Sequence, residues 1–151
     1  MKLSTRGRYA VMAMADLAMS AEEGPVTLSA IAARQSISLS YLEQLFAKLR
    51  RAGIVRSVRG PGGGYALALP PAETRIADIM TAVEEPLKVT RCGAAKGCMA
   101  DGRRCITHDL WDELGRHIHL FLNAITLEDV LEKRVAGVAS APEAGEALAA
   151  E

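Results

Sequence analysis

Thr27-Leu-Ser-Ala-Ile-Ala-Ala-Arg-Gln-Ser-Ile-Ser38, continuing as Leu39-Ser-Tyr-Leu-Glu-Gln-Leu-Phe-Ala-Lys-Leu-Arg-Arg-Ala-Gly53, is the stretch that decides the fold. Thr27 is an N-cap residue for a short helix, Leu28–Arg34, that presents Leu28, Ile31 and Ala32 on one side. The polar turn Gln35-Ser36-Ile37-Ser38 interrupts it. A second helix then runs from about Leu39 to Ala52, because Leu42, Leu45, Phe46 and Leu49 follow the spacing i, i+3, i+4, i+7. Gly53 supplies the stop.

Working outward, Ile54–Val58 and Tyr65–Leu69 alternate apolar and polar residues with period two, and Arg59-Gly-Pro-Gly-Gly-Gly64 between them predicts a tight hairpin tip. Upstream, Ser4–Met19 reads as a helix capped by Ser4 or Thr5, and Gly24-Pro25 breaks the chain after it. Downstream, Pro70-Pro71 ends the hairpin, and Thr74 is placed to cap a helix Arg75–Glu84 carrying Ile76, Ile79, Met80 and Val83 on one stripe. A long helix is expected from Thr107 to about Asn123. Its residues Trp111, Leu114, Ile118, Phe121 and Ile125 recur at three- and four-residue steps, the seam of two packed helices. Thr126-Leu-Glu-Asp129 looks like a capped start for a last helix ending near Val135.

The order helix, short helix, turn, helix, two-stranded wing is that of a winged helix-turn-helix. The expected fold is mainly α, with a two-stranded β wing and a long C-terminal dimerisation helix. Residues 1–72 form the DNA-binding region, residues 73–136 a metal loop with dimerisation helices, and residues 137–151 an Ala/Gly/Glu/Pro-rich tail without periodicity, expected to be disordered. No internal repeat is found.

Composition agrees with a helical, aliphatic core, since 50% of the 151 residues are hydrophobic and only 4% aromatic. The net charge of zero hides an asymmetry. Residues 1–65 hold nine Lys/Arg against four Asp/Glu, a charge of +5, whereas residues 66–151 hold nine against fourteen, or −5. An N-terminal half facing a polyanion explains that division. Lys2, Arg6 and Arg8 before an apolar run imitate a signal peptide, but Asp16 interrupts the run and the pattern is amphipathic. No segment is long enough to span a bilayer. Three closely spaced cysteines, an odd number, argue against a disulfide framework and for a cytoplasmic, reducing compartment.

The second helix would extend about 20 Å and fit the DNA major groove. Ser38, Ser40, Tyr41, Glu43 and Gln44 are placed to meet base edges at its N-terminal end. Gln44 can pair with adenine, and Glu43 can accept only from a donor such as the cytosine amino group. The competing reading makes Ser40-x-x-Glu43 a capping box that occupies both side chains. Lys48, Arg50 and Arg51 are either a solvated face or contacts to backbone phosphate, the second reading being preferred for at least two of them. At the hairpin tip, Gly60 and Gly62 let the backbone approach the sugar–phosphate wall while Arg59 can enter the minor groove. A phosphate-binding loop is the alternative for these glycines. It fails because no Lys-Ser/Thr follows and the next element is a strand.

Cys92, Cys98, Cys105 and His108 fall within one glycine-rich, charged loop. Soft sulfur ligands with one imidazole suit a thiolate-bound metal centre. An iron–sulfur cluster, a structural zinc and a metal-free thiol switch all remain open on chemistry alone, with the long gaps between ligands favouring the first. His108, in the first turn of a helix, could equally be an ordinary surface histidine. His117 and His119 have no neighbouring thiols and are read as non-ligands.

Leu3-Ser-Thr-Arg-Gly-Arg-Tyr-Ala-Val11, Ile37-Ser-Leu-Ser-Tyr-Leu-Glu-Gln-Leu-Phe46, Val58-Arg-Gly-Pro-Gly-Gly-Gly-Tyr65, Cys105-Ile-Thr-His-Asp-Leu-Trp111 and Phe121-Leu-Asn-Ala-Ile-Thr-Leu127 together resemble the IscR family of bacterial iron–sulfur cluster regulators. The resemblance covers roughly residues 1–135 and not the tail. It implies a homodimer with one [2Fe–2S] cluster per subunit, held by Cys92, Cys98, Cys105 and His108 and delivered by the cluster assembly machinery. It also implies double-stranded promoter DNA as partner and repression of iron–sulfur biogenesis genes. A second class of promoter would be bound without the cluster, with Glu43 discouraging one site type until cluster binding repositions it. A nitric oxide- or iron-responsive regulator of the same architecture is the nearest alternative, and His108 argues against it. An iron–sulfur carrier that does not bind DNA, or a redox enzyme, is the alternative of another class; no paired acid–base constellation supports catalysis.

Overall fold

The computed structural model describes residues 4–83 and 97–135. Helix α1 (Thr5–Met19) is followed by a single 3-10 turn, then by α2 (Leu28–Gln35) and α3 (Leu39–Arg51). Strands β1 (Val55–Val58) and β2 (Gly64–Leu67) form an antiparallel hairpin in the register Val55↔Leu67, Arg56↔Ala66, Ser57↔Tyr65 and Val58↔Gly64. Helices α4 (Ile76–Val83), α5 (His108–Ala124) and α6 (Leu127–Leu131) complete the chain. The arrangement is the expected winged helix-turn-helix with a long helix behind it.

Local chemistry accounts for most boundaries. The Thr27 hydroxyl accepts the Ala30 N–H, and Ser36 adopts the left-handed conformation (φ 54°) that ends α2. Ser38 caps α3 by accepting the Tyr41 N–H at 3.2 Å. Since Ser38 holds the cap, Ser40-x-x-Glu43 does not form the capping box weighed from sequence. Gly53, at φ 75°, turns the chain out of α3. The capping box at Thr126 and Asp129 does form.

Two expectations are corrected. Both strands are shorter than their alternating runs, and the sheet also recruits Val26, whose N–H and C=O bond the Tyr65 backbone at 2.9 and 2.7 Å. Thr74 does not cap α4: it is buried and its hydroxyl donates 3.1 Å to the Pro70 carbonyl. Instead Ile76 N–H reaches the Ile125 carbonyl at 3.0 Å, and Arg75 bridges Thr126.

The core is one aliphatic cluster around Phe46, lined by Met14 and Leu17 of α1, Ile31 of α2, Leu42 and Leu49 of α3, Ile79 and Val83 of α4, and Leu127 of α6. Phe46 is fully buried and meets Tyr65 edge-on at 5.0 Å, so its burial contributes about 1.5–3 kcal/mol and fixes the wing on α3. The apolar seam of α5 divides. Ile125 is buried and Phe121 half-buried, whereas Trp111 and Leu114 are exposed beside Leu110 and Leu120.

Candidate DNA-reading surface and metal loop

Helix α3 buries Leu42, Leu45, Phe46 and Leu49, which turns the rest of its surface outward. Ser40, Glu43, Gln44, Arg50 and Arg51 lie exposed on it. Ser38 is exposed too, but its hydroxyl serves the helix cap. Tyr41 is half-buried, its ring meeting Tyr9 of α1 edge-on at 5.9 Å. Lys48 is half-buried, and its ammonium donates 3.1 Å to the Val83 carbonyl at the end of α4.

The wing carries Arg59 exposed at its tip. Gly60 and Gly62 take φ values of 99° and 72°, and Gly63 N–H closes the turn on the Gly60 carbonyl at 2.9 Å. A Cβ on Gly63 would stand 2.4 Å from the Val58 carbonyl oxygen, and one on Gly64 equally close to that of Val26. Glycine is required there by close backbone approach as well as by turn geometry.

The second site opens at the head of α5. Cys98 Sγ accepts the Cys105 N–H at 3.0 Å and lies 3.5 Å from His108 Nδ1. His108 is buried, not the surface histidine that its position in a first helical turn allowed. Cys105 Sγ stands 3.7 Å from the Thr107 hydroxyl, which in turn accepts the Trp111 indole N–H at 3.1 Å. From sequence Thr107 is read only as the start of this helix and Trp111 only as part of its apolar seam, although their i, i+4 spacing was the available signal for the contact. Cys92 lies outside the described residues. Among the described residues no three His, Cys, Asp or Glu side chains form a group able to hold a metal. The donors present do fit a thiolate-bound iron centre: two soft sulfurs, a buried imidazole beside one of them, and a backbone N–H aimed at a sulfur. His117 is engaged elsewhere, its Nε2 2.9 Å from Glu113 Oε1. Hydrogen bonding from Arg116, against a smaller opposing effect of burial, lowers the Glu113 carboxyl to about 2.

An exposed reading helix, a wing and a cysteine–histidine loop define a winged-helix, DNA-binding transcriptional regulator. Residues 3–133 match the Rrf2 family, described as an iron-dependent transcriptional regulator, and the chain belongs to that family. It is of the IscR type. The transcriptional regulator IscR of Aliivibrio salmonicida is 53% identical over 131 residues, 87% of this chain and 77% of the relative. Among solved structures, IscR of T. potens superposes with a TM-score of 0.73 at 40% identity, covering 99% of this chain and 94% of that one. CymR, the global cysteine regulator of B. subtilis, gives 0.75 at 34% identity over 88% of this chain and 98% of that one. The protein is thus a regulator and not an enzyme. Among the described residues no helix is long and apolar enough to cross a membrane.

Proposed function

We propose that this chain senses iron–sulfur supply and changes its promoter occupancy accordingly, as a homodimer working in the reducing cytoplasm. Cys92, Cys98, Cys105 and His108 would hold one [2Fe–2S] cluster per subunit, received from the cluster assembly machinery. When bound, the cluster supplies a redox-labile crosslink between the loop and α5. The observation that carries this reading is the approach of Cys98 Sγ to buried His108 at the first residue of α5.

Residues 1–72 would deliver the DNA contacts and residues 73–136 the sensing and pairing. Ser40, Tyr41, Glu43 and Gln44 would meet base edges, and Ser38 would touch DNA only through its exposed face. Arg50 would meet phosphate, and Arg59 with Gly60 and Gly62 would enter the minor groove. Exposed Leu110, Trp111 and Leu114 support pairing through α5. Repression of iron–sulfur biogenesis genes, with a second promoter class bound by the cluster-free form, is the regulatory output this assembly would give.

Anaerobic purification, an absorption spectrum, iron and sulfide analysis, and operator footprints of the wild type and Cys92→Ala test the proposal. The expected result is a coloured wild type, a colourless variant and two different footprints. A colourless wild type, or a pair of identical footprints, overturns it.

A further inference from the structure

Lys48 belongs to the reading helix, yet its charge is directed inward. Its ammonium donates to the carbonyl of Val83, the last residue of α4. A backbone carbonyl towards the C-terminal end of a helix lies at the negative end of the helix dipole, so a cation is stabilised there. The opposite end of α4 is also tied down. Ile76 N–H bonds the Ile125 carbonyl at 3.0 Å, and the Arg75 guanidinium donates 2.5 Å to the Asn123 carbonyl in the last turn of α5. Helix α4, packed on α1, thus links α3 at Val83 to the C-terminal end of α5, the helix whose opposite end begins at His108. Lys48 sits four and five residues after Gln44 and Glu43, on the helix that carries both.

We propose that Lys48 is a positioning residue that couples the metal loop to the reading helix through α4, and that it does not neutralise a DNA phosphate. The coupling rests on the sensing reading above. A shift of α5 moves α4, and the Lys48–Val83 bond transmits that movement to the face bearing Glu43 and Gln44. Without the bond, α3 keeps its buried stripe, its fold and its apolar packing on α4, but loses the polar tie that fixes its position along α4.

The two roles give opposite salt behaviour. The test uses the full chain, anaerobically loaded and cluster-free, with Lys48→Met and Lys48→Arg. The probe is a duplex selected by the wild-type protein from a random-sequence library. Removing a phosphate contact reduces the slope of log affinity against log salt by about 0.9. The expected result is an unchanged slope for Lys48→Met, with the loaded-to-empty affinity ratio falling to within about twofold of unity. Lys48→Arg, which can still reach the carbonyl, restores the wild-type ratio. A reduced slope with the ratio preserved makes Lys48 a phosphate contact and overturns the inference, as does a variant unchanged in both. A wild type whose affinity ignores the cluster overturns the sensing reading itself and removes the coupling with it; the slope then still decides whether Lys48 touches DNA.

Discussion

The carboxylate of Asp16, buried on α1, accepts the Arg34 Nε of α2 on both oxygens, at 3.2 and 3.1 Å, and also the Gln35 amide at 2.7 Å. One acidic side chain thereby locks α1 to α2, the first helix of the helix-turn-helix. Burial raises the Asp16 carboxyl, and the Arg34 and Gln35 hydrogen bonds together with the Arg34 charge more than reverse this, leaving it below its ordinary 3.8. A carboxyl depressed on folding contributes stability that is full above its unfolded value and is lost as pH falls through the lower, folded value. Asp16→Asn is expected to cost about 1–3 kcal/mol at pH 7. Its melting temperature converges on that of the wild type as the pH is taken from 7 down through 3.8 and past the lower, folded value. Thermal melts across that range check this, and a constant difference between the two proteins would refute it.

The glycines of the wing are not equivalent. Nothing stands within 4 Å of a Cβ added to Gly60, so Gly60→Ala costs only the strain of its positive φ, about 1–3 kcal/mol. Gly64→Ala drives a methyl into the Val26 carbonyl and opens the bridge that roots the wing, so its loss should exceed that of Gly60→Ala. Urea titrations rank the two; equal midpoints would count against a rigid root.

Cys98 has a role that needs no metal. Its sulfur accepts the Cys105 N–H, a bond contributing about 0.5–1.5 kcal/mol, so Cys98→Ala should speed exchange of that amide about two- to tenfold in cluster-free protein. Hydrogen exchange resolved at Cys105 measures it. No change there would mean that the bond does not order the loop.

Trp111 and Thr107 form a short relay to Cys105. The indole N–H occupies the hydroxyl oxygen of Thr107, which leaves the hydroxyl proton available to the sulfur 3.7 Å away. Hydrogen bonds to a ligating sulfur raise a cluster's potential, so with the proposed cluster held by Cys105, Thr107→Val should lower its midpoint and Trp111→Phe should lower it by less. Potentiometric titration of the visible bands gives the order. Because Trp111 is the one tryptophan, its emission should also shift in Thr107→Val.

Most of the fold was legible because its decisive signals are local. Thr27 and the pair Thr126–Asp129 cap from within three residues, and the apolar stripe of α3 needs only its own spacing. What escaped were bonds between segments far apart in sequence. Val26 joins the sheet across 39 positions, Ile76 N–H is taken up by the Ile125 carbonyl, and Lys48 reaches Val83 where an outward cation was expected. For the candidate site, spacing suggested Cys98, Cys105 and His108 but not that the histidine is buried, since burial depends on α5 and the loop closing together.

The hydrogen bonds between Val26 and Tyr65, with Phe46 lodged against the same tyrosine ring, leave the hairpin no hinge at its base. Wing and α3 are thereby joined as a single unit. Under the proposed function, a shift in promoter choice would come from re-aiming that unit as a whole, and operators that differ only in groove width where Arg59 would insert should be told apart poorly.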